Sequence, residues 1–266
     1  MKLSIITINY NNKTGLQKTI DSVISQTVKD FEWIIIDGGS IDGSKELIEH
    51  YSRYITYWVS EPDKGIYNAM NKGIKVAKGE YFLFLNSGDC LYDKYTLEKF
   101  NQRINTEDVI YGNAIVVDSS GNEVSKWHNP EKLKLSYFWG HGLNHQATFI
   151  KKRCFEKFMY NENNKIVSDT ELFMLLLYNS YSFAKYDSYV AKFDNTGVSF
   201  TTKYNEYSGM VDRILPRGVK EDYDDIIALR DVDLAIMIRN IINSNRFVRN
   251  LTRVFIYPIH YLLAKK

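Results

Sequence analysis

Apolar and polar positions follow two alternating rhythms over the first hundred residues. Leu3–Ile8 is a short apolar run, the pattern of a strand buried on both faces. Leu16, Ile20, Val23 and Ile24 then recur at helical spacing, with Thr14 as the expected N-cap. Trp33–Ile36 reads as a second strand ending in Asp37-Gly38-Gly39-Ser40, and a short helix follows with Leu47 and Ile48 inward. Ile55–Val59 is a third strand, Ile66 to Ala77 a helix with a small-residue stripe, and Tyr81–Leu85 a fourth strand. This order predicts an α/β fold on a mainly parallel, doubly wound sheet with right-handed crossovers.

Beyond about residue 105 the rhythm changes. Val109–Tyr111 and Ala114–Val117 read as strands, and Asp118-Ser119-Ser120-Gly121-Asn122 as a turn that returns Glu123–Trp127 in a hairpin. Ala147–Ile150 and Tyr189–Phe193 are further strands, and Glu171–Leu177 is an apolar helix. No linker separates the halves 1–105 and 106–203, so both are expected in one domain, with 204–266 as an appended helical segment.

Composition narrows the class. Hydrophobic residues are 44% and charged residues 25%, which excludes a disordered chain. The net charge of +2 gives no footprint for nucleic acid. Cys90 and Cys154 stand apart, as expected of a reducing compartment. The start has no signal-peptide pattern, and no stretch approaches the roughly 20 apolar residues that cross a bilayer. Charge is uneven, however. Of 34 basic residues, six lie between Met237 and Lys266 with no acidic residue among them, leaving 28 against 32 acidic elsewhere. Phe247, Val248, Leu251, Val254 and Phe255 fall on one side of a helix there, with Arg246, Arg249 and Arg253 on the other. Such a helix either lies on an anionic membrane or packs on the protein with its arginines in water.

In an open parallel sheet, ligands bind beyond the carboxyl ends of the strands. The residues just past the four strands are Asn9-Tyr10-Asn11, Asp37 to Ser40, Glu61-Pro62-Asp63 and Asn86-Ser87-Gly88-Asp89. Each acid alone, Asp42 included, can be a turn-former. Together they form a carboxylate-lined rim that suits a base and ribose, with Asp89 offering oxygen to a hard cation such as Mn²⁺ or Mg²⁺. There is no GxGxxG after the first strand and no GxxxxGK[ST].

Ser4 to Asn11, Ile36 to Ser44, Ser60 to Gly73 and Leu83 to Asp89, in that order, resemble family 2 glycosyltransferases of the GT-A fold. The resemblance covers roughly 1–200, and Asn195 to Ser199 is similar to the end of that family's catalytic domain. It implies a nucleotide-sugar site. Thr7, Asn9 and Asn11 would lie beside the nucleotide, Asp37 would bond the base, and Asp63 would sit near base and ribose. Lys72, Ser87 and Gly88 would complete the site, and Asp89 would touch the metal between the phosphates. Asn86 and Gly88 stand where many members carry Asp, so one full charge remains in the metal motif. Departing diphosphate needs cationic help, from the metal or from Lys64 and Lys72.

Ser168-Asp169-Thr170-Glu171 opens the apolar helix. It can be a capping box, with Asp169 complementing the helix dipole. The resemblance makes Asp169 the base that takes the acceptor proton. His145 and Gln146 are expected on the acceptor wall or as a plain buried polar contact, with His145 also able to ligate a metal or bond a phosphate, and Tyr137, Phe138 and Trp139 either stack on a sugar or belong to the core. The expected activity is inverting, non-processive transfer from a nucleotide-diphosphate sugar, foremost a UDP-sugar, to a saccharide or lipid-linked saccharide. Capsule, exopolysaccharide or lipopolysaccharide assembly is the implied setting, in the cytoplasm and peripherally on the plasma membrane through 237–266. A sugar nucleotidyltransferase and a catalytically inactive binding module are the alternatives.

Overall fold

A computed structural model describes residues 3–103, 106–138, 141–194, 206–217 and 220. The Trp139 side of the aromatic cluster, Asn195 to Ser199 and the basic segment 237–266 lie outside the described residues. The parallel half forms as its apolar periodicity predicts. Strands β1 (Leu3–Asn9), β2 (Glu32–Asp37), β3 (Tyr57–Ser60) and β4 (Tyr81–Phe84) alternate with helices α1 (Lys13–Ile24), α2 (Ser44–His50) and α3 (Ile66–Val76). The order β3-β2-β1-β4 is parallel throughout. Every residue of β1, β2 and β4 is buried, as the continuous apolar runs require.

Helix α1 presents Leu16, Ile20 and Val23 to the core. Its N-cap is Asn12, whose side chain accepts the Gly15 amide, so the helix begins earlier than a Thr14 cap allows. The small-residue stripe of α3 has a steric cause. A Cβ on Gly73 would lie 2.5 Å from Ile6 Cγ2 of β1, so only glycine lets this helix sit so close to the sheet.

The second half adds β5 (Cys90–Leu91), α4 (Thr96–Gln102), β6 (Val109–Val117), β7 (Glu123–Trp127), β8 (Thr148–Lys151), α5 (Lys152–Lys157), α6 (Ser168–Tyr178) and β9 (Phe183–Asp194). β8 joins β4 antiparallel, β6 pairs antiparallel with β8, and β9 runs parallel to β6. The complete sheet is therefore mixed, parallel over its first half. Phe100 stacks on Phe149 at 3.7 Å in the core that unites the halves. Helix α7 (Tyr207–Ile214) belongs to the first of two compact units, Met1–Ile214; the second is Leu215–Lys266. Among the described residues, no helix is long and apolar enough to cross a membrane.

Candidate active site

Parallel register sets the first group. Asn9 pairs with Asp37 and Asp37 with Ser60, so three strand ends place their polar residues in one row. Asp37 is fully buried. Its Oδ1 accepts Asn9 Nδ2 at 2.7 Å and Ser40 Oγ at 2.6 Å; its Oδ2 accepts Ser40 N at 2.9 Å and Ser60 Oγ at 2.6 Å. A carboxylate offers about four lone-pair sites, so these donors saturate it. Burial pushes its pKa up, but the bonds from Ser40, Ser60 and Asn9 outweigh burial and hold it below the usual carboxylate range. Asp37 thus organises the row rather than presenting an open acceptor.

Asn11, at a φ of 47°, receives Ile41 N on Oδ1 at 2.9 Å and donates its own amide to Ser40 Oγ. Asp42 binds Lys13 N and Ser44, the turn-forming role. Thr7 is buried within β1, where its Oγ1 accepts the Trp33 indole N–H at 3.0 Å, so it supports the sheet below the rim.

Beside this row, a Cβ on Gly38 would lie 2.7 Å from Asp63 Oδ2 and 3.1 Å from Tyr10 Cδ2. The missing side chain leaves a seat between an exposed aromatic ring and a carboxylate. Asp63 Oδ1 accepts Gly65 N at 2.8 Å. Lys72 reaches Glu61 at 2.7 Å and the Pro62 carbonyl at 3.3 Å, bracing the loop that carries Asp63.

The second group gathers around the end of β4. Asp89 Oδ2 accepts Asn86 N at 3.0 Å, and Asp89 N donates to Asn86 O, closing a turn. Gly88 supplies the left-handed φ of 107° that the turn needs, and its amide donates to Thr19 Oγ1. Ser87 Oγ donates to Asn12 O while Asn12 Nδ2 donates to Ser87 O, both at 3.0 Å, which sews the turn to α1. A Cβ on Gly88 would stand 3.6 Å from Asp194 Oδ2. Burial, reinforced by Asp194 and opposed by His145, pushes the Asp89 carboxyl up to about 7.

Because β8 runs antiparallel to β4, its start lies at the end of β4. The short turn His145–Ala147 that precedes β8 is therefore set against Asn86. His145 Nε2 lies 3.1 Å from Asn86 Nδ2, and its Nδ1 lies 3.1 Å from Asp169 Oδ2. Burial would lower the His145 pKa, but Asp169 and Asp89 raise it overall. Gln146 is buried beside it.

Asp169 opens α6, where its Oδ1 accepts Thr170 N at 2.7 Å and faces Tyr67 Oη at 3.5 Å. The capping box does not form. Val167 is the N-cap, and Ser168 Oγ instead accepts Asn161 N at 2.6 Å. Glu171, 6% exposed, takes Arg213 Nε and Nη2, both at 3.0 Å, together with Asn161 and Asn164. Tertiary partners have displaced the local cap. Phe138 is fully buried and cannot serve as a stacking face.

Among the described residues, four buried side-chain atoms lack a partner: Asn9 Oδ1, Asn86 Oδ1, Asn144 Oδ1 and Tyr160 Oη. Asn9 ends β1, Asn86 lies two residues past β4, Asn144 precedes the turn before β8, and Tyr160 stacks on Tyr67 at 5.5 Å. Buried polar groups normally have partners, so the orphaned amide oxygens of Asn9, Asn86 and Asn144, at the end of the sheet where β1 and β4 finish and β8 begins, suit a ligand. Two shallow hollows of about 310 and 460 Å³ lie at the opposite end of the strands, near Asp108 and Lys78, where β6 and β4 begin; there Arg153 already pairs with Asp108. Sequence reasoning missed Tyr67, Tyr160 and Asp194. Ending the last strand one residue later would have put Asp194 on the rim.

The model of the family described as Glycosyl transferase family 2 matches residues 4–168. A PGL/p-HBAD biosynthesis glycosyltransferase of Mycobacterium tuberculosis is 27% identical over 223 residues, 80% of each chain. Among solved structures, S. aureus TarS 1-349 in complex with UDP-GlcNAc superposes with a TM-score of 0.65 at 18% identity, over 84% of this chain and 70% of that one. This chain spans 42% of the longer TarS chain. The mannosyltransferase PcManGT of Pyrobaculum calidifontis, solved with GDP-Man and Mn²⁺, gives 0.54 at 13% identity, over 80% and 60%. At these identities the structures share the fold alone.

Proposed function

The chain belongs to glycosyl transferase family 2 and is a glycosyltransferase, and from that premise we propose inverting, non-processive transfer of one sugar from a nucleotide-diphosphate donor to a saccharide hydroxyl. The observation that carries this reading is the carboxylate of Asp169, fixed by His145 on the same rim as the Asn86–Asp89 turn. Asp169 takes the acceptor hydroxyl proton. The oxygen forms its bond to the anomeric carbon opposite the diphosphate, and the carbon–oxygen bond to the diphosphate breaks, its electron pair leaving with the nucleotide.

The seat between Tyr10 and Asp63 over Gly38 suits a nucleobase, and Asn9 Oδ1 would accept an N–H or hydroxyl from the nucleoside. In this reading Asp37 orients Asn9 instead of bonding the base itself. A UDP-sugar donor is supported by the likeness to TarS bound to UDP-GlcNAc. A biosynthetic role in polysaccharide assembly belongs to this proposal, and a relative named for PGL/p-HBAD biosynthesis supports it. The lipid-linked acceptor and a peripheral membrane seat through 237–266 belong to the same proposal, as does the division into a 1–203 catalytic domain and a 204–266 extension.

A divalent metal fits the residues present. The orphaned amide oxygen of Asn86, the Asp89 carboxylate and Asp194 offer hard oxygen ligands. Among the described residues no cluster of three His, Cys, Asp or Glu side chains forms a metal cage, so the donor diphosphate would supply the remaining ligands. When bound, the metal would neutralise charge on the departing diphosphate.

The test is UDP release from UDP-GlcNAc, UDP-glucose and UDP-galactose, with and without Mn²⁺. Asp169→Asn is expected to bind UDP as the wild type does and to lose roughly 10²- to 10⁴-fold in turnover. Wild-type turnover by that variant assigns the proton to another group.

A further inference from the structure

We propose that His145 is a positioning residue for the base, tying the turn that faces the donor diphosphate to the carboxylate that deprotonates the acceptor. This rests on the reading of Asp169 as that base. Three observations carry it. The imidazole bridges two elements far apart in sequence, with 3.1 Å contacts at both nitrogens. The His145 and Asp169 side chains are only 18% and 17% exposed, so little water competes for their bond. Finally, the loop before His145 is seated on α6 itself: a Cβ on Gly142 would stand 2.9 Å from Thr170 Oγ1.

Proton arithmetic fixes the direction of the relay. Asp169 Oδ2 can only accept, so Nδ1 carries a proton. With Asn86 Nδ2 donating, Nε2 is a lone-pair acceptor. Turning the amide, so that its orphaned Oδ1 accepts from a protonated Nε2, leaves the Nδ1–H bond to Asp169 unchanged. Either way one Asp169 oxygen is held by the ring and the other by Thr170 N, which sets the plane of the carboxylate. A carboxylate on the first turn of a helix otherwise has free rotation about χ2. Holding that plane is the work of an orienting group, as in hydrolytic triads, with the roles of base and orienter exchanged.

Two measurements test the proposal. Long-range ¹H–¹⁵N spectra of the wild type, with the ring assigned by its loss in His145→Gln, should show Nδ1 protonated from about pH 6 to 9. A neutral ring protonated on Nε2 alone overturns the proposal, whatever the donor sugar. The second measurement compares variants by Mn²⁺-dependent UDP release from UDP-GlcNAc, UDP-glucose and UDP-galactose. Asn at 145 can place an amide N–H near the Nδ1 position, whereas Gln reaches only toward Nε2. His145→Gln should lose roughly 10- to 100-fold in kcat with donor KM within about threefold, while His145→Asn recovers most of kcat. Equal losses in both variants at unchanged melting temperature, or a loss confined to UDP affinity, refute positioning. Asp169→Asn in the same assay keeps the premise separate: its full activity would sink the base assignment and not the bond.

Discussion

Replacing Asp37 separates an organising carboxylate from one that reads the ligand. Its four acceptor sites are filled by Asn9 Nδ2, Ser40 N, Ser40 Oγ and Ser60 Oγ at 2.6–2.9 Å, and the group is fully buried. In Asp37→Asn one oxygen becomes an amide that cannot accept. The Ser60 hydroxyl can rotate, but Ser40 N is left without a partner and the surviving bonds lose their charge assistance. One buried orphan amide costs about 1–3 kcal/mol, and weakening the charged bonds adds about 1 kcal/mol. The expected loss is about 3 kcal/mol, or roughly 6–12 °C in melting temperature for a chain of this size. Asp37→Ala, which strands all four donors, should lose more. The pH dependence has a definite sign. The folded carboxyl titrates below its unfolded value of 3.8, so its contribution is complete above that value and disappears as pH falls through the folded one. Thermal denaturation at pH 7 and pH 3 reads both effects: the gap between wild type and Asp37→Asn narrows at the lower pH. If Asp37→Asn melts with the wild type and only its UDP affinity falls, the carboxylate touches nucleotide directly and its lone pairs are not all taken by the protein.

Gly38→Ala places a methyl 2.7 Å from Asp63 Oδ2 and should lower UDP affinity roughly tenfold in calorimetry, with melting temperature little changed because Tyr10 and the Asp63 loop are at the surface. Asp89→Asn should stabilise the cation-free protein. The carboxyl titrates at about 7 when folded and near 3.8 when unfolded, so the folded state holds the extra proton and stability falls as pH rises between those values. Partial exposure limits the gain to about 1–2 kcal/mol at pH 8, measured as a higher melting temperature, and Mn²⁺-dependent UDP binding is lost in exchange.

The parallel half was legible because each strand is buried on both faces and each helix on one, which leaves the apolar runs of β1, β2 and β4 uninterrupted. Elsewhere tertiary contacts overrule the local pattern. The two strands expected around Gly112 are one, β6, because that glycine admits Val190: a Cβ there would lie 2.5 Å from Val190 Cγ2. Ser168 and Glu171 have capping-box spacing, yet Asn161 and Arg213 claim them from outside the helix. The two-residue strand β5 has no periodicity to detect and exists through its pairing with β9. At the site, residue types and their strand-end positions were readable. Their division of labour was not, because it depends on which lone pairs are already taken. The four donors around Asp37 come from two other strand ends and a turn, and no local pattern announces them. The amide of Asn86 meets His145 across 59 residues of sequence, a contact no local pattern shows.

That substitution has a physical consequence. A neutral residue at 86 and an anionic one at 169 give the imidazole between them a direction, with a proton on Nδ1 and a lone pair or a single weak bond toward Asn86. An Asp at 86 would face Nε2 with a second carboxylate, on a turn where burial and Asp194 already hold the Asp89 proton on up to about 7. The ring would then have to carry two protons and a full charge, shared between two carboxylates. With Asn86 in place, the turn gives up one hard anionic ligand for a cation and keeps an amide oxygen in its stead. In the proposed reading, the neutral residue at 86 leaves the imidazole one carboxylate partner, Asp169, whose plane it holds, and the two halves of the sheet meet at that ring.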